Sequence, residues 1–383
     1  MTLKICVVTG TRADYGLLSP VVEALKADPD FAVQIAATGM HLSPEFGLTY
    51  REIEADGHAI DAKVEMLLSS DTAAGVAKSA GLGLIGFADT FARLSPDMVM
   101  MLGDRFEALA AATAALIARI PIAHLSGGDV TEGAFDEAMR HSITKMSHLH
   151  FVASVDAARR VRQLGEDPAR IHQVGDPGLD RLRTMARMTR AQVEAALGFA
   201  LRPRNLLVTF HPATLDAVPS TVQFEELLAA LAGLPQDVGL IFTKPNADPE
   251  GRALIERLDA FVADRANAVA RTSLGHKLYL STMALCDAVV GNSSSGLLEA
   301  PSLGKPSVNV GGRQDGRLRA ASVIDCAPEN RAIAAAIGAA WGKDWRGVEN
   351  PYGDGRAAER IVRALNSVGD PRALLKKRFH DLP

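Results

Sequence analysis

The sequence predicts an α/β chain of two doubly wound domains, and three observations carry that prediction. Short, continuously apolar runs recur along the 383 residues. Longer stretches with helical spacing separate them. The chain is also longer than the ~250–300 residues at which single cores stop growing. Runs that stay apolar, without alternating in polarity, mark parallel strands covered on both faces. Strand and helix alternating on this scale build open parallel sheets wound with helices.

In chain order the strands are expected at 4–8, 33–37, 98–102, 120–124, 150–153 and 171–174, then at 206–210, 239–243, 267–270, 287–290, 307–310 and 322–325. Helical patterns cover 17–27, 106–119, 136–146, 155–164 and 192–197. The stretch 176–205 is polar and arginine-rich and ends in Arg202-Pro203-Arg204. The first domain is therefore expected over 1–180 and the second over 181–383. A helical tail over 355–379, broken at 366–371, is expected to pack back on the first domain.

With 48% hydrophobic and 22% charged residues, the composition excludes a disordered chain. The 41 basic and 45 acidic residues leave a net charge of −4, which argues against nucleic acid as a partner. No apolar stretch reaches the ~18–20 residues of a membrane span, so no membrane partner is expected. Cys6, Cys286 and Cys326 are far apart and form no CxxC pair. That excludes a disulfide scaffold and a thiolate zinc site, and it points to a reducing cytoplasm.

Ligands of open parallel sheets bind at the carboxyl ends of strands, so the polar residues that follow the strands are the candidates. After the first strand, Gly10 allows a tight turn. The next helix N-terminus offers N–H groups to an anion, and Arg12 adds a planar donor fork. The run is not GxGxxG, which leaves a dinucleotide fingerprint unsupported. After strand 287–290, Gly291-Asn292-Ser293-Ser294-Ser295-Gly296 suits a diphosphate cradle, with a helix expected from Leu297. Glu299 would then lie in the first turn, either accepting from ribose hydroxyls or complementing the helix dipole.

A third group is acidic. Asp104 follows a strand and Gly103, and Asp129 follows a strand and Gly127-Gly128. Asp136 and Glu137 stand four residues before Arg140 and His141, a spacing that also fits a solvated salt-bridge face. Carboxylates gathered at strand ends suit proton abstraction and return. No HExxH pattern occurs, and no metal is expected. In the second half, His211 follows strand 206–210. Asn246 follows strand 239–243 through Lys244-Pro245, and Arg313 follows strand 307–310 through a glycine pair.

Taken together, VTGTRADYG (8–16), ATGMHL (37–42), LGDRFE (102–107), RHSITKMSHLH (140–150), GNSSSGLLEAPSLG (291–304) and GRQDGR (312–317) resemble the hydrolysing UDP-N-acetylglucosamine 2-epimerases of sialic and legionaminic acid synthesis. The resemblance spans about residues 3–365 in matching order. It implies two Rossmann-like doubly wound domains facing a cleft, the GT-B arrangement. It also implies UDP held by Ser293, Ser294 and Glu299, with Asn246, Ser273 and Arg313 nearby and Arg12, Ala13 and Arg105 reaching in from the first domain. Asp104, Asp129, Asp136 and Glu137 match the family's catalytic acids, and His211 matches its cleft histidine. Where the family usually has Glu after the paired glycines, this chain has Asp129.

The implied reaction removes the sugar C2 proton as UDP leaves C1. Water then adds at C1 and a proton returns to C2 on the opposite face. This chemistry requires no cofactor. The competing reading is a GT-B glycosyltransferase, which shares the UDP cradle but has no need of several acids aimed at C2. The stretches 67–72 and 40–50 look closest to the legionaminic branch, whose UDP-sugar is a 4-acetamido-6-deoxy one. A homodimer or homotetramer is expected, with apolar helices at 106–119 and 74–91 as the candidate face.

Overall fold

The computed structural model describes residues 2–70, 72–130, 136–212, 218–245 and 251–382. It divides into two compact units, Met1–Arg181 with Tyr352–Pro383, and Leu182–Pro351.

The first unit runs β1 (Leu3–Thr9), α1 (Arg12–Ala27), β2 (Phe31–Thr38), α2 (Tyr50–Ala55), β3 (Ala62–Val64), α3 (Ala73–Leu94), β4 (Met98–Leu102), α4 (Phe106–Ile117), β5 (Ile122–Leu125), α5 (Asp136–Met146), β6 (Leu149–Val152), α6 (Val155–Gln163), β7 (Ile171–Gln173) and α7 (Gly178–Thr184). Its seven strands lie in the order β3-β2-β1-β4-β5-β6-β7, and every pairing is parallel. Period-two alternation splits β1 between two cores. Ile5 and Val7 join Leu18, Val21 and Leu25 of α1 on one face. Cys6 and Val8 join Phe87 and Phe91 of α3 and Ala111 of α4 on the other. Helices therefore cover both faces of the sheet, as the unbroken apolar runs require.

The second unit runs α8 (Arg190–Leu197), β8 (Arg204–Thr209), α9 (Ser220–Ala232), β9 (Val238–Thr243), α10 (Gly251–Ala263), β10 (Ala268–Arg271), α11 (Gly275–Leu285), β11 (Ala288–Gly291), α12 (Ser295–Ser302), β12 (Ser307–Val310), β13 (Val323–Cys326) and α13 (Asn330–Trp341). Its six parallel strands lie in the order β10-β9-β8-β11-β12-β13. Leu206, Val208 and Phe210 face one core, and Leu207 faces the other.

From Tyr352 the chain belongs to the first unit again, where α14 (Ala357–Asn366) buries Ala357, Ala358, Ile361 and Leu365 in the core beside α1. The buried Asp180 carboxylate accepts from the N–H groups of Ala357 (2.8 Å) and Ala358 (2.7 Å). A distant side chain thus satisfies the orphan donors that open the helix. Among the described residues no helix is long and apolar enough to cross a membrane.

Both sheets reverse direction at their first strand. β1 lies between β2 and β4, and β8 lies between β9 and β11. Such a switch point opens a crevice at the carboxyl ends of its central strands.

Candidate active site

In the first unit, the turn after β1 closes on itself. Thr11 caps α1, its Oγ1 accepting from the Asp14 N–H at 3.2 Å. The Asp14 carboxylate accepts from the N–H groups of Gly10 (2.9 Å) and Thr11 (3.0 Å) and from the Thr9 hydroxyl (2.6 Å). The sequence suggested that this turn offers its N–H groups to an anion. Three of them are instead engaged by the turn's own side chains, a reciprocal capping box. Arg12 and Ala13, on the first turn of α1, are exposed, and Arg12 lies 3.2 Å from Glu52.

Beyond β4, Gly103 adopts φ +81°, which a residue with a Cβ rarely tolerates. The turn presents Asp104 and Arg105. The Arg105 fork grips Glu107, with Nε 3.1 Å from Oε2 and Nη2 3.0 Å from Oε1. Glu107 is only 2% exposed and packs where Gly10 and Gly39 leave room. A Cβ at Gly39 would stand 2.8 Å from its Oε1. Burial pushes the Glu107 carboxyl above the ordinary range, against the downward pull of Arg105.

Asp136 and Glu137 occupy the first turn of α5. The i,i+4 spacing pairs Glu137 with His141 at 3.7 Å. For Arg140 the spacing predicted Asp136 as the partner, yet the buried Arg140 guanidinium makes an ion pair with Asp104 and donates to the Asp129 carbonyl at 2.9 Å. This single arginine therefore draws the turns after β4 and β5 to α5. Burial, then the neighbouring Asp104, pushes the Asp136 carboxyl up, while Arg105 and Arg140 pull it down. Asp104, Asp129 and Asp136 are all partly buried. Asp104 and Asp136 lie close enough for their charges to interact, between Arg105 and Arg140, and the Asp129 backbone is tied to the same Arg140.

In the second unit, the ends of β8 and β11 are laced by an amide. The buried Asn292 side chain accepts from the His211 N–H (2.7 Å) and donates to the His211 carbonyl (2.8 Å). The Asn292 carbonyl in turn accepts from Arg313 Nη1 (3.1 Å) and Gln314 Nε2 (2.8 Å). Gly291 has φ +130°, and a Cβ there would collide with the Thr209 backbone. The loop leads through Ser293 and Ser294, the residue capping α12. The Tyr279 hydroxyl is buried beneath it, near Ser295, Thr209 and Ser293. Since α12 starts at Ser295 and not at Leu297, Glu299 falls in its second turn, which corrects the first-turn expectation. Ser273, exposed after β10, accepts from the Gly275 N–H at 3.2 Å. Asn246 lies outside the described residues.

The predicted residues thus form two polar clusters. Asp104, Asp129, Asp136 and Arg105 gather in the first unit, and His211, Ser293, Ser294 and Arg313 gather around Asn292 in the second. Glu107, Arg140, Asn292 and Gln314, which lie in the sequence motifs but are not among the expected site residues, support these clusters, as does Tyr279, which carries no motif. Among the described residues no cluster of His, Cys, Asp and Glu has the form of a metal site.

The description of the UDP-N-acetylglucosamine 2-epimerase family matches residues 23–366. A relative from Campylobacter jejuni, named GDP/UDP-N,N'-diacetylbacillosamine 2-epimerase (hydrolyzing), is 42% identical over 84% of both chains. The UDP-N,N'-diacetylbacillosamine 2-epimerase (hydrolyzing) of Legionella pneumophila is 36% identical over 98% of this chain and 99% of its own. In fold, the chain matches the crystal structure of UDP-GlcNAc 2-epimerase from Neisseria meningitidis bound to UDP-GlcNAc. The TM-score is 0.77 at 20% identity, over 96% of this chain and 100% of that one. The chain belongs to the UDP-N-acetylglucosamine 2-epimerase family, among its hydrolysing members.

Proposed function

We propose that this enzyme takes UDP-N,N'-diacetylbacillosamine and releases UDP and the free manno-configured sugar. Both relatives above carry that sugar in their names, and the stretches 40–50 and 67–72 look closest to the same branch. A carboxylate takes the C2 proton while the C1–O bond to the diphosphate breaks, its electron pair leaving with UDP. The resulting 2-acetamidoglycal takes a hydroxyl from water at C1 and a proton at C2 on the opposite face.

The observation that carries this reading is the acidic cluster, and within it Asp136. Its carboxyl is pushed up by burial and by Asp104, against the pull of Arg105 and Arg140, the direction that suits a carboxylate that takes and returns a proton. Glu137 faces His141, so Asp136 is the better candidate of the adjacent pair. Asp104, held by Arg140, and Asp129, whose carbonyl the same arginine binds, complete the acids. Ser293, Ser294, Glu299, Ser273, Asn246 and Arg313 are assigned to UDP, with Arg12, Ala13 and Arg105 from the first unit. His211 and the arginines stabilise the departing diphosphate. The three cysteines are free thiols, which supports a cytoplasmic setting. The exposed Leu82 and Ile85 of α3 and Leu116 and Ile117 of α4, on two packed helices, support a homo-oligomer, which light scattering would detect.

Product analysis tests the reading. The UDP form of diacetylbacillosamine, its GDP form and UDP-N-acetylglucosamine are each supplied with and without a sugar acceptor, with phosphorus detection of the free nucleotide. The proposal expects release from the diacetylbacillosamine donor. Turnover of UDP-N-acetylglucosamine alone would move the enzyme to the sialic branch. Release that requires an acceptor would restore the glycosyltransferase reading.

A further inference from the structure

We infer that His124 is a positioning residue for Asp104, its imidazole closing a ring of hydrogen bonds that runs through Gly103, Asp104, Arg140 and Thr144. The inference rests on the reading of Asp104 as a catalytic acid. His124 sits on β5, fully buried, and no role has so far been assigned to it.

The geometry fixes its tautomer. Nε2 lies 2.7 Å from the Gly103 carbonyl, which can only accept, so Nε2 carries the proton and Nδ1 a lone pair. Nδ1 lies 3.2 Å from the Thr144 hydroxyl, whose single proton is shared, as a three-centre bond, between Nδ1 and the Arg140 carbonyl at 2.9 Å, since both can only accept. Arg140 closes the ring through its ion pair with Asp104.

Gly103 makes the ring consequential. Its φ of +81° is a glycine conformation, and nothing lies within 4 Å of the place a Cβ would occupy. At Gly103 itself no side chain contributes packing, and its backbone groups are held by hydrogen bonds. Its N–H donates to the Leu125 carbonyl at 3.0 Å and its carbonyl accepts from His124, both on β5. Burial drives the imidazole down to about 3, only partly offset by the Gly103 carbonyl. His124 therefore stays a neutral Nε2–H donor at working pH, a tether with no proton to shuttle. The ring also accounts for Gly127, since a Cβ there would stand 2.8 Å from the Thr144 hydroxyl and 3.0 Å from His124 Nδ1.

The test compares His124→Leu, His124→Gln, Thr144→Val and Asp104→Asn in the full chain, reading kcat, KM, UDP affinity and thermal unfolding. Displacing a catalytic group by a fraction of an ångström to an ångström should lower kcat about 10- to 10²-fold in His124→Leu, with KM within about twofold. His124→Gln places an amide N–H near the Nε2 position and should recover most of that loss. Thr144→Val keeps its shape, loses the hydroxyl and should lower kcat with UDP affinity unchanged. Wild-type kcat in a folded His124→Leu, or no advantage of Gln over Leu, overturns the inference. Should His124→Leu fail to fold, wild-type kcat in Thr144→Val overturns it in the same way. Asp104→Asn separates the two levels. If it is inactive while His124→Leu turns over normally, only the positioning role falls. If it turns over normally, the assignment of Asp104 falls and this inference with it.

Discussion

The acidic cluster of the first unit and the serine loop of the second both sit at the carboxyl edge of a parallel sheet, but different forces hold them. In the first unit charge holds charge, Arg140 against Asp104 and Arg105 against Glu107. In the second, neutral acceptors dominate, the Asn292 side-chain amide lacing the His211 backbone and its backbone carbonyl accepting from Arg313 and Gln314. A site that must change protonation needs neighbours that tune pKa values. A site that holds a diphosphate of fixed charge needs donors fixed in place. On the proposed assignment, the contrast matches proton transfer by the acids of the first unit and diphosphate binding by the serine loop of the second.

The largest test of that contrast is Asp136→Asn. It should lower kcat by about 10²–10⁴-fold, the scale of lost acid–base catalysis, while UDP affinity stays as in the wild type. Glu137→Gln should fall much less. A large drop in UDP affinity for Asp136→Asn would break the division between the units. The mirror experiment is Glu299→Ala, which should weaken UDP binding by about 1–3 kcal/mol, as for a charge-assisted hydrogen bond. Calorimetry with UDP checks it, and unchanged affinity would remove Glu299 from the cradle.

A smaller effect probes charge as scaffold in the first unit. Buried Glu166 accepts from Lys145 (2.8 Å) and pairs with His150 (2.9 Å) and with Lys377 of the returning tail (2.7 Å). Burial alone would raise its carboxyl, yet these hydrogen bonds bring it down to about 2. A depressed carboxyl stabilises the fold above its unfolded pKa of ~4.3, and that contribution fades as pH falls toward the folded value. Glu166→Gln should therefore melt below the wild type at pH 7, with the gap closing in acid. Equal melting temperatures at pH 7 would make the clamp dispensable.

The strands were legible because burial on both faces demands unbroken apolar runs. The exception, β3, is three residues long with Lys63 at its centre, and it exists by pairing with Ala36–Thr38 of β2. The start of α12 lies two residues before the expected one because serine and glycine carry no helical apolar period, which moves Glu299 from the first turn into the second. The capping box of α1 is legible in Thr11 and Asp14, and it occupies N–H groups that the turn would otherwise offer to an anion. Arg140 and His124 were not readable in the same way. Their partners, Asp104 and Gly103, lie 36 and 21 residues away and meet them only once β4, β5 and α5 are assembled.

The most direct test of the central claim, that this chain's acids work at C2, is proton NMR of the reaction in deuterium oxide with phosphorus detection of UDP. If C2 is deprotonated as UDP leaves and is reprotonated from solvent, the free manno sugar carries deuterium at C2. A free sugar that keeps its original C2 proton would contradict the account and leave a simple hydrolase.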